Sequence, residues 1–318
     1  MGQTASAPIT FGDEIDVRTG FVRVTIPAGE PAPRAEELEV VWKGCSQPVL
    51  RVLGGADDPL EVGIAVDRSA SMHAAFEPMR AAALALVDQG ISDADRVFVV
   101  GFADEIELLA EGRGSARLVL AALPARPETG PRPTALWRSL GEVLDRFGNA
   151  DARAALIVVS DGCDTFDGGG APLEVVRRAN DLAIPIFLLM PGRGECRNIT
   201  CVTDAAGEWR CADVSPPNLD YLPASGGSRV ESLSVSFSQD YPAAVSTNER
   251  DRFMGLIAQS GGGGFSVDDP REWQRAWTAI FERLGRQWTV VFAPTSDEVK
   301  SEEIKVYRRT SGRRQRLR

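Results

Sequence analysis

Residues 60–67, Leu-Glu-Val-Gly-Ile-Ala-Val-Asp, form an apolar run that stops on an acid, and two hydroxyls follow at alternate positions, Ser69 and Ser71. Four to eight β-prone residues of this kind read as a strand covered on both faces, which is what a parallel α/β sheet requires. A chain built on such a strand must supply helices for both faces. Asp67, Ser69 and Ser71 then stand at the strand's carboxyl end, in the crevice where open α/β sheets bind ligands. Oxygen donors gathered there suit a hard cation. The same spacing also fits a plain helix cap, since Ser and Asp favour helix starts, and two further segments weigh against that simpler reading.

The first is the Pro/Gly loop 129–133, which runs into a helical pattern with Leu136, Leu140, Val143, Leu144 and Phe147 on one face, leaving Thr134 at the helix mouth. The second is residues 154–161, Ala-Ala-Leu-Ile-Val-Val-Ser-Asp, another buried strand that ends on a carboxylate, Asp161. Along the chain the order is Asp-x-Ser-x-Ser, a loop Thr, then a strand-end Asp.

That ordered set resembles the metal-ion-dependent adhesion site of von Willebrand factor A domains, with Ala70 where many relatives carry Gly. The resemblance implies that Ser69, Ser71 and Thr134 touch a metal directly, and that Asp67 and Asp161 act largely through bound water. Three hydroxyls and waters around a small hard ion favour Mg²⁺ first and Mn²⁺ second. With two formal charges near the ion, an open position attracts an anion, so a partner protein's Asp or Glu is the implied ligand. Arg68, between the site residues, is a candidate contact for that partner.

The middle of the chain continues the pattern: a helix at 74–87, a strand at 95–102, an antiparallel edge strand at 103–109, a helix at 173–182, a strand at 184–190, a helix at 250–260, a strand ending at 267 and a helix at 272–284. Strands alternating with helices predict a doubly wound, Rossmann-like, mostly parallel α/β sheet over residues 57–286. The ends differ. Runs at 21–26, 37–42 and 48–53 within segment 1–56, and at 287–292 and 303–307 within segment 287–318, alternate with a period of two. They predict a small antiparallel β subdomain shared by both termini, since two or three strands rarely stand alone. This layout resembles bacterial proteins related to von Willebrand factor A.

An insertion at 191–247 has one convincing strand, 230–237, and follows the carboxyl end of the 184–190 strand. It is expected to wall the site and set partner choice. Cys196, Cys201 and Cys211 fall within it, lack Cys-x-x-Cys spacing or His partners, and predict one local disulfide and hence an oxidising, extracytoplasmic location: periplasmic, cell-surface or secreted. Cys45 and Cys163 read as buried thiols.

Residues 305–318 carry seven Lys and Arg and no acid, leaving 28 basic and 45 acidic residues before them, a net of −17. Nucleic-acid binding by that body is excluded on charge, and the basic tail reads as solvated or as a strand end, with segment 287–318 expected to pack with the N-terminal segment. The chain contains no run of eighteen apolar residues. Together these predict a non-catalytic, cation-dependent binding module. The alternatives are an assembly component of a cell-envelope complex and, on an acid at a strand end, a haloacid-dehalogenase-like phosphohydrolase with Asp67 as nucleophile, although Ser69 stands where that chemistry wants a second acid.

Overall fold

The computed structural model describes residues 20–25, 31–54, 58–69, 72, 76–123, 134–148, 152–164, 171–191, 199–203, 209–213, 254–267, 269–294, 303–310 and 313–317. In chain order the elements are β1 (Gly20–Thr25), β2 (Leu38–Trp42), β3 (Cys45–Gln47), β4 (Val49–Leu53), β5 (Leu60–Asp67), α1 (Phe76–Gly90), β6 (Arg96–Phe102), β7 (Ile106–Glu111), α2 (Arg113–Ala122), α3 (Leu136–Leu144), β8 (Arg153–Val159), α4 (Pro172–Asp181), β9 (Ile186–Pro191), β10 (Ile199–Thr203), β11 (Trp209–Asp213), α5 (254–259), β12 (Gly263–Val267), α6 (Pro270–Gly285), β13 (Gln287–Phe292), β14 (Ile304–Thr310) and β15 (Arg313–Arg316).

Six strands form the central sheet in the order β12-β9-β8-β5-β6-β7. All neighbours are parallel except β7, which pairs antiparallel to β6 at the edge. Numbered within the sheet this is the doubly wound order 3-2-1-4-5-6, whose direction of winding reverses between β5 and β8. Every residue of β5 is buried, Glu61 included, as a largely apolar run between two helix layers requires. Alternate side chains serve two cores. Leu60, Val62, Ile64 and Val66 meet α1, α2 and α6 on one face, while Ala65 joins Leu156, Val158 and the α3 residues Leu136 and Leu140 on the other. Gly63 leaves room on that second face for the edge-to-face pair Phe98 and Phe147, whose rings a Cβ would strike.

The terminal segments form two antiparallel sheets, β1-β13-β4 and β15-β14-β2-β3. Their inward residues, including Val22, Val24, Val40, Trp42, Val290, Phe292, Ile304 and Val306, share a third core, so the sheets stack face to face. Helix α6 runs into β13 through Arg286 alone. Buried Arg23 of β1 donates to the Ser260 carbonyl and to Asn180 Oδ1, and Gln287 donates to the Gly261 carbonyl; these bonds join the sandwich to the amino-terminal edge of the parallel sheet.

The basic tail forms a strand whose residues 314–316 stay exposed: β15 pairs with β14, and Arg314 lies over the Tyr307 ring at 3.7 Å and reaches Glu39. Three expectations are corrected. The insertion holds an antiparallel pair, β10 and β11, where the sequence suggested no strand; the suggested strand at 230–237 lies outside the described residues. Cys45 is a free and exposed thiol. Cys163 is buried but disulfide-bonded. No helix among the described residues is long and apolar enough to cross a membrane.

Candidate metal site

The site forms where the sheet changes its winding direction. Strands β5 and β8 are parallel neighbours with Val66 opposite Val159, so Asp67 and the residues after Val159 leave the sheet side by side. The chain after β5 leads to α1 on one face and that after β8 leads to α4 on the other, and a crevice opens between the diverging loops. Two more backbone bonds extend the ladder past the strands: Arg68 N–H donates to the Phe102 carbonyl and Ser160 N–H to the Leu189 carbonyl.

Counting by two from Ala65 turns the Asp67 side chain toward α3. It is fully buried, and both carboxylate oxygens are engaged. Ser69 N–H donates to Oδ1 at 2.8 Å and the Ser160 hydroxyl donates to Oδ2 at 2.6 Å; the Ser69 hydroxyl is a further donor to the same carboxyl. Burial, and after it the negative charge of Asp161, push the Asp67 pKa up to about 7, against the lowering effect of the Ser160 and Ser69 hydrogen bonds.

Asp161 is 9% exposed and accepts from Cys163 N–H at 3.0 Å, while Gly162 N–H donates to Ser160 Oγ at 3.0 Å. Gly162 has φ +83°, a left-handed conformation that favours glycine and lets the turn close. Thr134 is 2% exposed. The next residue, Ala135, donates its N–H to the Ala103 carbonyl beyond β6, and Trp137 N–H donates to Asp164 Oδ2 at 3.1 Å. Helix α3 has no side-chain cap of its own, so Asp164 serves a first-turn N–H from another loop. Thr134 is thereby held between the loop after β6 and the loop after Asp161.

The structure therefore gathers Asp67, Ser69, Thr134 and Asp161 at one end of the sheet. Ser71 lies outside the described residues. Arg68 faces the other way: its side chain crosses Gly101, where a Cβ would come within 2.6 Å of Cδ, and donates to Glu107 Oε2 at 2.8 Å, on the α1 and α2 face. Ser160 and Asp164 were missed in the sequence. Ser160 was legible in principle, because counting by two from Val158 aims it at the face Asp67 uses.

The donor set fits a hard cation. Two buried carboxylates oppose each other, with buried hydroxyl oxygens beside them, and a cation would relieve the repulsion that raises Asp67. Among the described residues there is no group of three or more His, Cys, Asp or Glu placed to hold a metal; here two acids and hydroxyls make the set, as for oxygen-ligated ions.

No protein-family model and no curated protein matches the chain. Its solved structural relatives include BatB from Bacteroides thetaiotaomicron (18% identity, 70% of this chain and 98% of that chain, TM-score 0.47) and a von Willebrand factor type A protein from Catenulispora acidiphila (11% identity, 94% and 71%, TM-score 0.43). A third is proximal thread matrix protein 1 of the mussel byssus with a zinc-occupied MIDAS motif (16% identity, 45% and 38%, TM-score 0.36). At these values the chemistry of the site rests on this chain's own residues. The sheet order, its antiparallel edge and its helix-covered faces give the chain a von Willebrand factor A-like, Rossmann-like fold accompanied by antiparallel sheets.

Proposed function

We propose that this protein is a non-catalytic, divalent-cation-dependent binding or adhesion module that recognises an acidic residue of a partner protein. Asp67, Ser69, Ser71, Thr134 and Asp161 would hold the ion, Mg²⁺ or Mn²⁺. The observation that carries the reading is the buried pair Asp67 and Asp161, whose mutual repulsion a cation would convert to attraction. When bound, the ion supplies an electrophilic position that a partner's carboxylate fills. The chain's own part is to fix the oxygens in place: Ser160 and Ser69 orient Asp67, and Cys163 N–H orients Asp161. Arg68 stands at the rim, where a partner's acid would compete with Glu107 for it.

A nucleophilic Asp67 is disfavoured, because a carboxylate that attacks a phosphorus must reach it, and this one is fully buried with both oxygens engaged. The disulfide at Cys163 supports an oxidising, extracytoplasmic location. Mg²⁺ and Mn²⁺ titrated into chelator-stripped protein by calorimetry test the reading, with Asp67→Ala alongside. Saturable one-site binding that is lost in the variant supports it. Absence of binding in the parent protein overturns it.

A further inference from the structure

The chain ends on seven Lys and Arg within residues 305–318, against a net of −17 in the residues before them, and the fold turns several of these charges onto one face. In the sheet β15-β14-β2-β3, Ile304, Val306, Leu38, Val40 and Trp42 point inward to the third core. The alternate residues therefore point outward. The register sets Lys305 opposite Val41, Arg309 opposite Arg314, and Tyr307 between Arg316 and Glu39. Lys43, Lys305, Arg309, Arg314 and Arg316 are all exposed. The acids on this face are Glu39, held by Arg309 and Arg314, and Glu303, held by Lys43, so cations outnumber carboxylates five to two. Like charges directly opposite on a ladder repel, and the Arg309–Arg314 pair is a cost that an anionic counter-surface offsets.

The face is also the outermost layer of the molecule. Residues of the three-stranded sheet that point away from the third core include Arg23 and its register partner Thr289, 8% and 7% exposed, and Arg23 donates to the Ser260 carbonyl and to Asn180. That sheet thus lies between the parallel-sheet domain and the four-stranded sheet. Stacked sheets are about 10 Å apart, so two such steps set the basic face roughly 20 Å from the acidic domain. Charges act over only about 8 Å at physiological salt. An anion at this face is attracted by the cations and screened from the body. The junction lies at the amino-terminal edge of the parallel sheet and Asp67 at the carboxyl end, so the basic face and the candidate metal site belong to opposite ends of that sheet.

We propose that the outer face of β15-β14-β2-β3 docks this protein peripherally on a bilayer containing anionic phospholipid. Interfaces between folded proteins draw their affinity from buried aromatic and apolar anchors. The apolar groups here are Val41, half-buried, and Tyr307, whose ring Arg314 covers. Attraction at this face is therefore by charge, and bilayer phosphates present charge across all of it at once. An open concavity of about 700 Å³ lies between Lys43, Lys305 and Arg314, where headgroups can rise among the cations. Docked in this way, the chain holds the Asp67 end of its parallel sheet away from the bilayer.

Sedimentation of the full chain with sucrose-loaded vesicles tests the proposal, in chelator so that no divalent ion bridges protein and lipid. Vesicles of about one-third phosphatidylglycerol in phosphatidylcholine are expected to carry the protein down at about 0.05 M salt and release it at about 0.5 M. Vesicles of phosphatidylcholine alone are expected to leave it in solution. Lys43→Gln/Lys305→Gln removes two cations at about fivefold each, so partition should fall about twenty-five-fold. Arg117→Gln/Arg275→Gln removes two exposed cations of α2 and α6, changes net charge equally, and should stay within about twofold of the parent. No binding to the anionic vesicles at low salt overturns the proposal, as does equal binding to phosphatidylcholine or an equal loss in the two pairs. Poly-glutamate is the second probe: a parent that captures it but not the vesicles has a face for acidic protein, and the bilayer assignment fails. Each variant is checked for parent-like circular dichroism. If Lys43→Gln/Lys305→Gln does not fold, Arg309→Gln/Arg316→Gln on the same face takes its place with the same expected loss. Because chelator is present throughout, the outcome is independent of the cation reading at Asp67.

Discussion

Replacing Asp67 by Asn should make the metal-free protein more stable at neutral and alkaline pH. The buried carboxyl has its pKa raised from 3.8 to about 7, mainly by burial and then by Asp161. The folded chain therefore keeps a proton that the unfolded chain has released between about pH 4 and pH 7. Over that window the unfolded state binds fewer protons, so stability falls as pH rises and levels off above pH 7. Three pKa units at about 1.4 kcal/mol each amount to roughly 4 kcal/mol, an upper figure for the cost of holding an ionised Asp67 in the empty site. Asn is close to isosteric and neutral throughout. Its Oδ1 can accept from Ser69 N–H, and its amide can donate to Ser160 Oγ, so both contacts of the parent survive. Urea unfolding of the two proteins in chelator at pH 4, 6 and 8 measures the difference, since every other titrating group is common to both. The expected gain for Asp67→Asn is near zero at pH 4 and approaches 4 kcal/mol at pH 8. A gain that does not grow with pH, or a variant less stable than its parent at pH 8, refutes the reasoning.

Adding Mg²⁺ at a hundred times its dissociation constant should stabilise the parent by about 2.7 kcal/mol and leave Asp67→Asn unmoved, read as a shift in Tm. Because the ion needs Asp67 ionised, binding below pH 7 should release up to one proton, and the release should vanish above pH 8; calorimetry in buffers of different ionisation enthalpy counts it. Ser160→Ala removes the hydroxyl that donates to Asp67 Oδ2 and should weaken Mg²⁺ binding about ten- to a hundredfold without loss of fold. Gly262→Ala places a Cβ on the Ile186 carbonyl at the junction of β9 and β12 and should cost about 3 kcal/mol by denaturant melting, whereas Glu107→Ala, which breaks the half-exposed pair with Arg68, should cost less than about 1 kcal/mol.

How much of this was legible in the sequence depended on whether a residue's burial is decided within its own segment. Strands β5, β8 and β9 are covered on both faces, so their apolar runs identify them without reference to any neighbour. The terminal strand β2 shows its alternation for a related reason: one face meets the third core and the other is only partly buried, whereas β13, at the centre of its sheet, is buried on both faces. Strand β15 has the sequence Arg-Arg-Gln-Arg and no apolar face. It is a strand because β14 offers a ladder and because Glu39 and Tyr307 receive Arg314, all of which lie elsewhere in the chain. Helix α2 went unread because Gly112 and Gly114 open it and only Ala116 and Leu120 are buried along it.

The site divides along the same line. Asp67, Ser69, Thr134 and Asp161 were readable because each sits at the end or mouth of an element that its own sequence defines. Their proximity follows from topology: Asp67 and Asp161 flank the one position in the sheet where successive helices go to opposite faces. At such a point no helix covers the strand ends, so an apolar residue there would gain little by burial, and polar side chains can gather without displacing core. The two acids go further than tolerance requires, since holding both in a buried crevice costs stability that a neutral pair would not. A marginally stable chain that keeps such a pair is trading fold stability for a site, and the pH dependence of Asp67→Asn measures the size of that trade.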